Sequence, residues 1–219
     1  AIGPGFLTQT STFTSQYLSS FATVILCTII LDIIAQANIW SIIGVSGMRG
    51  QDIANKVLPG LGFVVAFMVA LGGLAFNIGN VGGAALGFNA LLGIPEQVGC
   101  IIAGVIAICI FLSKNATGVM DKVTKVLAGI ILVSIAIVAV ASKPPVGEVA
   151  AKVFMPDNPS TLLFPMITLL GGSCGGYIAF SGSHRLIDAG ISGPENIQHI
   201  RKSVLTGIGV SGTVRILLF

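Results

Sequence analysis

The sequence has little charge for its length. Asp, Glu, Lys and Arg together make up 9% of the 219 residues, whereas an average soluble domain has roughly 25%. Hydrophobic residues make up 54% of the chain, and the mean hydropathy is +0.98. These values exclude a soluble globular domain and predict a protein that crosses a lipid bilayer several times.

Several function classes are excluded by what is scarce or missing. The net charge is only +3, and the basic residues are spread singly over predicted loops, so the sequence has no nucleic-acid surface. The four cysteines lie in apolar stretches at no metal-ligand spacing, which is typical of small buried hydrophobic residues. The sequence contains neither a nucleophile–base set nor a motif with a cofactor mechanism, so we expect no enzyme activity and no cofactor.

The most informative stretch is residues 169–187, LLGGSCGGYIAFSGSHRLI. Its two glycine pairs lie in an apolar run, and glycine costs about 1 kcal/mol relative to alanine in a helix interior. We therefore expect helical hydrogen bonding to be interrupted between Gly171 and Gly176. Secondary transporters build solute sites from such half-helix ends. The alternative is close helix packing, because small residues at a four-residue spacing let two backbones approach.

The apolar runs predict about seven membrane segments in one transmembrane domain, residues 1–219. The first is a half-helix that begins near Pro4, since proline suits the first turn of a helix. Both ends of the chain look cut, so we expect a fragment. The predicted segments are residues 4–15, 18–43, 58–92, 98–112, 126–140, a sixth from 162 to about 188, and a seventh that follows the polar loop 190–202.

The basic residues predict the orientation of these segments. Loops on the cytoplasmic side of a membrane protein carry an excess of Lys and Arg. The loops after the second, fourth and sixth segments hold most of them, and the opposite side holds only Lys143 and Lys152. We expect an integral protein of the cell membrane in which those three loops are cytoplasmic.

Two stretches resemble the Nramp divalent-metal transporters. Residues 72–95, GGLAFNIGNVGGAALGFNALLGIP, resemble the third helix of that family, and residues 46–60, SGMRGQDIANKVLPG, resemble its connection between helices two and three. The resemblance covers the whole chain, from the helix 1 break to helix 7. It implies an all-α, LeuT-type bundle of two inverted repeats, in which helices 1 and 6 are unwound at midmembrane. It also implies a secondary transporter of divalent metal ions that works by alternating access.

The resemblance also implies a departure from the family at the metal site. The family's Asp-Pro-Gly-Asn signature corresponds to residues 3–6, GPGF, so Gly3 replaces the acid and Phe6 replaces the amide. The family's Met-Pro-His of helix 6 corresponds to residues 175–177, so Gly175 replaces the metal-binding Met. None of these side chains can bind a cation, and we predict no dehydrated transition metal here. The chain resembles a divergent branch of the family.

We expect the solute to lie between the two helix breaks. Backbone groups and uncharged side chains there would suit a small zwitterion or carboxylate, or a hard cation that keeps its water. The substrate-binding candidates are Gly3, Pro4, Gly5, Phe6, Thr8, Gln9, Gly172, Ser173, Gly175, Gly176 and Tyr177.

Three further residues are candidates for ion coupling or helix pairing. Asp32 is an acid deep in an apolar run, which favours a function unless it pairs with a basic loop residue or a helix terminus. Asn77 and Asn80 lie one helical turn apart, where the resemblance places the family's paired acids. They favour an interhelical hydrogen-bonded pair over ligands.

Several functions remain open from the sequence. A divalent cation is what the resemblance implies, and a small organic acid or amino acid is what the predicted site chemistry allows. A membrane sensor that keeps the fold without transport is a further alternative. The expected partners are the lipid bilayer and a small solute or metal ion, and the sequence does not predict the oligomeric state.

Overall fold

The computed structural model describes residues 2–112, 116–175 and 177–219, and the side chains of residues 116–122 are not described. The residues so described form α-helices and short 3₁₀ turns, without a strand. The helices are α1 (Pro4–Tyr17), α2 (Phe21–Ser46), α3 (Gly50–Val57), α4 (Leu61–Leu92), α5 (Glu96–Leu112), α6 (Ala116–Ala141), α7 (Val146–Phe154), α8 (Leu163–Ser173), α9 (Tyr177–Asp188) and α10 (Ile197–Leu218).

Long apolar helices confirm an all-α membrane protein. In the described part of the chain, four stretches are long and apolar enough to cross a bilayer: Pro4–Ser46, Leu61–Leu92, Val123–Ala141 and Pro159–Asp188. Helix α5 is also apolar but shorter. The count of seven segments and the inverted repeat remain predictions.

The helix ends follow from proline and glycine. Pro4 occupies the first turn of α1, where its lack of an N–H leaves no hydrogen bond unmade. Gly47 and Gly93 end α2 and α4 in the left-handed conformation, with φ angles of 63° and 68°. Each donates its N–H back into the helix that it ends, as C-terminal glycines do.

Two predicted connections contain helices. Helix α3 lies in the loop after the second segment, and α7 lies in the long connection after the fifth. Each has an acid in its first turn and a lysine in its last turn, and these charges stabilise the helix by interacting favourably with its dipole. The sequence analysis missed both helices because it searched for apolar runs long enough to span a bilayer. It also ended the first half-helix at residue 15, whereas α1 extends to Tyr17.

Helix α2 lies at the centre of the described bundle and packs against α7, α8, α9 and α10. Helix α4 packs against α1, α3, α5 and α9. A tightly packed apolar cluster joins α1, α2 and α8 and the short turn before α8. Its buried members are Phe13, Phe21, Val24, Ile25, Leu162 and Leu169.

Candidate functional site

The predicted helix break lies between α8 and α9. The N–H of Cys174 still donates to the Leu170 carbonyl at 2.9 Å, but the N–H of Gly175 donates to the same carbonyl at 3.0 Å. The regular i to i−4 pattern therefore stops after Cys174, and α9 begins at Tyr177. Helical structure continues through Gly171 and Gly172, so the interruption is shorter than the predicted one. Gly176 lies outside the described residues.

Glycine at position 175 is required by a close backbone approach. A Cβ atom there would lie 2.9 Å from Gly171 Cα and closer still to the Gly171 carbonyl oxygen. By contrast, a Cβ atom at Gly171 would meet nothing within 4 Å. Of these two glycines, the one at position 175 is therefore needed for the turn that separates the two helices.

The start of α1 lies against this break and against α4. The Gln9 Nε2 donates to the Thr168 carbonyl of α8 at 3.3 Å. A Cβ atom on Gly83 of α4 would overlap the Pro4 ring, so glycine there lets the two helices approach. A Cβ atom on Gly3 would lie 3.2 Å from Asn80 Oδ1. The structure thus brings the predicted ends of helices 1 and 6 together.

Two cavities meet at this point. The smaller, of about 210 Å³, lies between α1, α4 and the end of α8, and the larger, of about 320 Å³, extends between α2, α9 and α10. Phe6, Gly172 and Arg215 line both cavities. Of the predicted site residues, those in the wall of one or both cavities are Gly3, Gly5, Phe6, Gln9, Gly172, Ser173, Asp32 and Asn80.

Asp32 and Gln36 of α2 contact the broken end of α8. Asp32 is only 5% exposed, and its Oδ1 lies 2.9 Å from the Ser173 hydroxyl. The Gln36 Nε2 donates to the Ser173 carbonyl at 3.3 Å, a carbonyl at the C-terminus of a helix, where intrahelical donors are lacking. Asp32 thus contacts the interruption itself, and neither of the described ion pairs joins it to a basic loop residue.

Four predicted residues lie elsewhere or bond differently. Tyr177 packs its ring on Phe76, 5.8 Å between centroids, and on Gly73 of α4, and it lines neither cavity. The Thr8 hydroxyl turns back to the Pro4 carbonyl at 3.0 Å. The Asn77 amide donates to the Gly73 carbonyl of its own helix at 2.9 Å. Asn77 therefore bonds within α4, whereas Asn80 on the same helix faces Gly3 at the start of α1.

Arg215 of α10 is a site residue that the sequence analysis did not select. Its side chain is only 4% exposed, and its guanidinium carbon lies 4.3 Å from the centroid of the Phe6 ring. A buried charge in the seventh predicted membrane segment is itself a functional signal. The sequence analysis overlooked it because it used the residues after the polar loop 190–202 only as a seventh apolar segment.

The described residues of the site were expected to include no set of side chains suited to a transition metal. Within the described ranges, no group of three or more His, Cys, Asp and Glu side chains could hold a metal ion. Gly3, Phe6 and Gly175 stand at the positions that the resemblance assigns to ligands, and none carries a donor side chain. Among the described residues, Asp32 is the one carboxylate that lines either cavity.

Sequence comparison identifies the family. The model of the Nramp family, natural resistance-associated macrophage protein-like, matches residues 1–219. The chain belongs to the Nramp family. It is 53% identical over 219 residues to an uncharacterized membrane protein, YcsG, of Bacillus subtilis, and 48% identical over the same length to an uncharacterized membrane protein of Haemophilus influenzae. All of the chain aligns with 54% and 55% of these proteins, so it spans about half the length of the curated relatives.

Proposed function

We propose that this chain forms part of a secondary transporter that moves a small solute by alternating access. Family membership supports a role like that of a metal-ion transporter. The observation that carries the proposal is the pair of cavities that meet where a membrane helix is interrupted. Backbone groups freed within a bilayer are tolerated where they line a cavity, and transporters place their solute at such sites.

The packing around the cavities supports one state of such a cycle. On one side of the break, the packed apolar cluster around Phe13, Phe21 and Leu169 closes the route to the cavities. On the other side, the larger cavity extends along α9 to Arg185 and along α10 to Ser203. Both residues lie near the loop that the basic residues predict to be cytoplasmic. We infer a conformation that is open toward the cytoplasm, in the cell membrane.

Substitution of Gly172 tests the proposal. Gly172 lines both cavities, whereas the adjacent Gly171 lines neither, and a Cβ atom at Gly171 meets nothing. We expect Gly172→Leu in the full-length protein to abolish solute uptake into proteoliposomes, because its side chain fills the cavities. Gly171→Leu is the matched control and should retain uptake. Wild-type uptake by both variants would show that the solute does not pass this site.

Two alternatives make different predictions in the same assay. A divalent cation as solute, which the family resemblance implies, predicts uptake of Mn²⁺ that depends on Gly172. A non-transporting sensor predicts uptake of neither metals nor small carboxylates by the full-length protein, together with ligand binding.

A further inference from the structure

We propose that the solute is a small organic monocarboxylate, bound by the guanidinium of Arg215 in the larger cavity. This inference rests on the proposed transport function and names its substrate class. It departs from the divalent cation that the family resemblance implies.

The first support is a pair of buried donors without acceptors. Among the described side chains, the buried nitrogen atoms that lack a hydrogen-bond partner are Arg215 Nε and Trp40 Nε1. Both residues line the larger cavity, from α10 and α2 respectively. Buried polar groups are normally paired, and a missing partner costs more when the group is charged. Because both side chains belong to the wall of one cavity, we infer that its ligand is a hydrogen-bond acceptor.

The second support is the environment of the Arg215 charge. The guanidinium stacks on the Phe6 ring, and the ion pairs of the described residues, Arg49–Asp188 and Lys152–Asp157, do not include it. Stacking occupies a face of the guanidinium and leaves its edge donors for an anion, which a carboxylate can accept in a bidentate manner. Asp32 in the same cavity accepts a hydrogen bond from the Ser173 hydroxyl, and its charge acts on Arg215 from beyond ion-pair distance.

The third support is the formal charge of the cavity wall. Its buried ionisable side chains are Asp32 and Arg215, whose charges cancel when both are charged. A monocarboxylate then leaves a net charge of −1 in the cavity, whereas a dication leaves +2. Because uncompensated charge within a bilayer is costly, the wall favours the monocarboxylate over the dication.

Two further features limit the size and position of the anion. A volume of about 320 Å³ is at the lower end for ligand pockets, so the solute is small. Ile178 in the first turn of α9 also lines the cavity. The backbone donors and the dipole at a helix N-terminus favour a negative group at that end.

The test measures binding to the purified full-length protein. The probes are acetate, lactate, butyrate and benzoate, each compared with its uncharged amide, and MnCl₂. Binding is followed by thermal shift and by isothermal titration. The variants are Arg215→Gln, Arg215→Lys, Trp40→Phe and Asp32→Asn. Arg201→Gln is the matched control, because Arg201 is exposed on the same helix and lines neither cavity.

We expect at least one carboxylate to bind where its amide does not. Arg215→Gln should weaken that binding about tenfold or more, which is the effect of losing a charge-assisted hydrogen bond. Arg215→Lys should retain part of the carboxylate binding. Trp40→Phe should weaken the binding, because it keeps an aromatic ring but removes the N–H donor. Arg201→Gln should bind as the wild type does.

Asp32→Asn separates the anion from the cation even if Arg215→Gln fails to fold. The substitution removes a negative charge from the cavity, so carboxylate binding should be kept or strengthened. Carboxylate binding that is unchanged in Arg215→Gln, or lost in Asp32→Asn, would overturn the assignment. Mn²⁺ binding and uptake without carboxylate binding would overturn the substrate class and leave the transport proposal standing. No binding and no uptake of either would overturn both.

Discussion

The guanidinium carbon of Arg215 lies 4.3 Å from the centroid of the Phe6 ring. This contact joins α10 to the first turn of α1, at the point where both cavities meet. Phe6 stands where the family resemblance places a metal-binding amide. An aromatic face can stabilise a neighbouring cation of the protein itself, so the residue that the resemblance aligns with a metal ligand contacts Arg215.

The first prediction concerns the turn between α8 and α9. Gly175→Ala should destabilise the full-length protein by about 1–3 kcal/mol, because its Cβ atom overlaps the Gly171 backbone. Gly171→Ala is the control and should be neutral or stabilising, since it adds helix propensity in open space. Thermal unfolding in detergent measures both. Equal effects of the two substitutions would mean that the turn does not require glycine at position 175.

The second prediction concerns access to the larger cavity. Ser203 lines this cavity, and Ser160 is exposed in the connection on the opposite side. In a cysteine-free background, Ser203→Cys should react with a membrane-impermeant thiol reagent from the cytoplasmic side, and Ser160→Cys only from outside. Labelling of sealed vesicles of known orientation checks this. Reaction of Ser203→Cys from outside alone would contradict the inferred inward-open state.

The third prediction concerns proton coupling. Asn77 and Asn80 do not titrate, and Asp32 is the one buried carboxylate of the described residues. We expect no substrate-driven acidification of the vesicle interior along α4, as measured with an internal pH dye. Proton uptake that persists in Asp32→Asn would show a proton route elsewhere in the full-length protein.

The fourth prediction concerns the connection between α7 and α8. Asp157 accepts hydrogen bonds from the Lys152 ammonium and, at 3.0 Å, from the Ser20 hydroxyl, and these bonds lower the pKa of its carboxyl below 3.8. Because the folded pKa is the lower one, the stabilisation is complete above pH 3.8 and is lost as the pH falls through the folded pKa. Thermal unfolding should therefore separate the wild type from Asp157→Asn at pH 6, and the difference should shrink near pH 3. A difference that does not change with pH would contradict this.

Glycine patterns predicted one helix break but could not distinguish it from close packing. Helix α4 is rich in glycine and yet continuous, because Gly83 admits the Pro4 ring and Gly73 admits the Tyr177 ring. Between α8 and α9 the backbone itself folds closely, which requires Gly175. The two situations have similar sequences, and only the packing partners separate them.

The site was predictable only in part, because the sequence does not show which distant residues pack together. Family resemblance located Phe6, the glycine pairs located Gly172, and the apolar run located Asp32, and all three line the cavities. Trp40 and Arg215 were not selected, because their role depends on two distant helices that face one cavity. The lone arginine in an apolar run was a usable signal.

The most direct test of the carboxylate site is anomalous diffraction from crystals of the full-length protein. One set of crystals is soaked with 2-bromopropionate and a second with MnCl₂. We expect a bromine peak in the cavity lined by Asp32, Gly172 and Arg215, and no manganese peak between Gly3 and Gly175. A manganese peak at that position, with no bromine beside Arg215, would contradict the proposed solute and restore the metal.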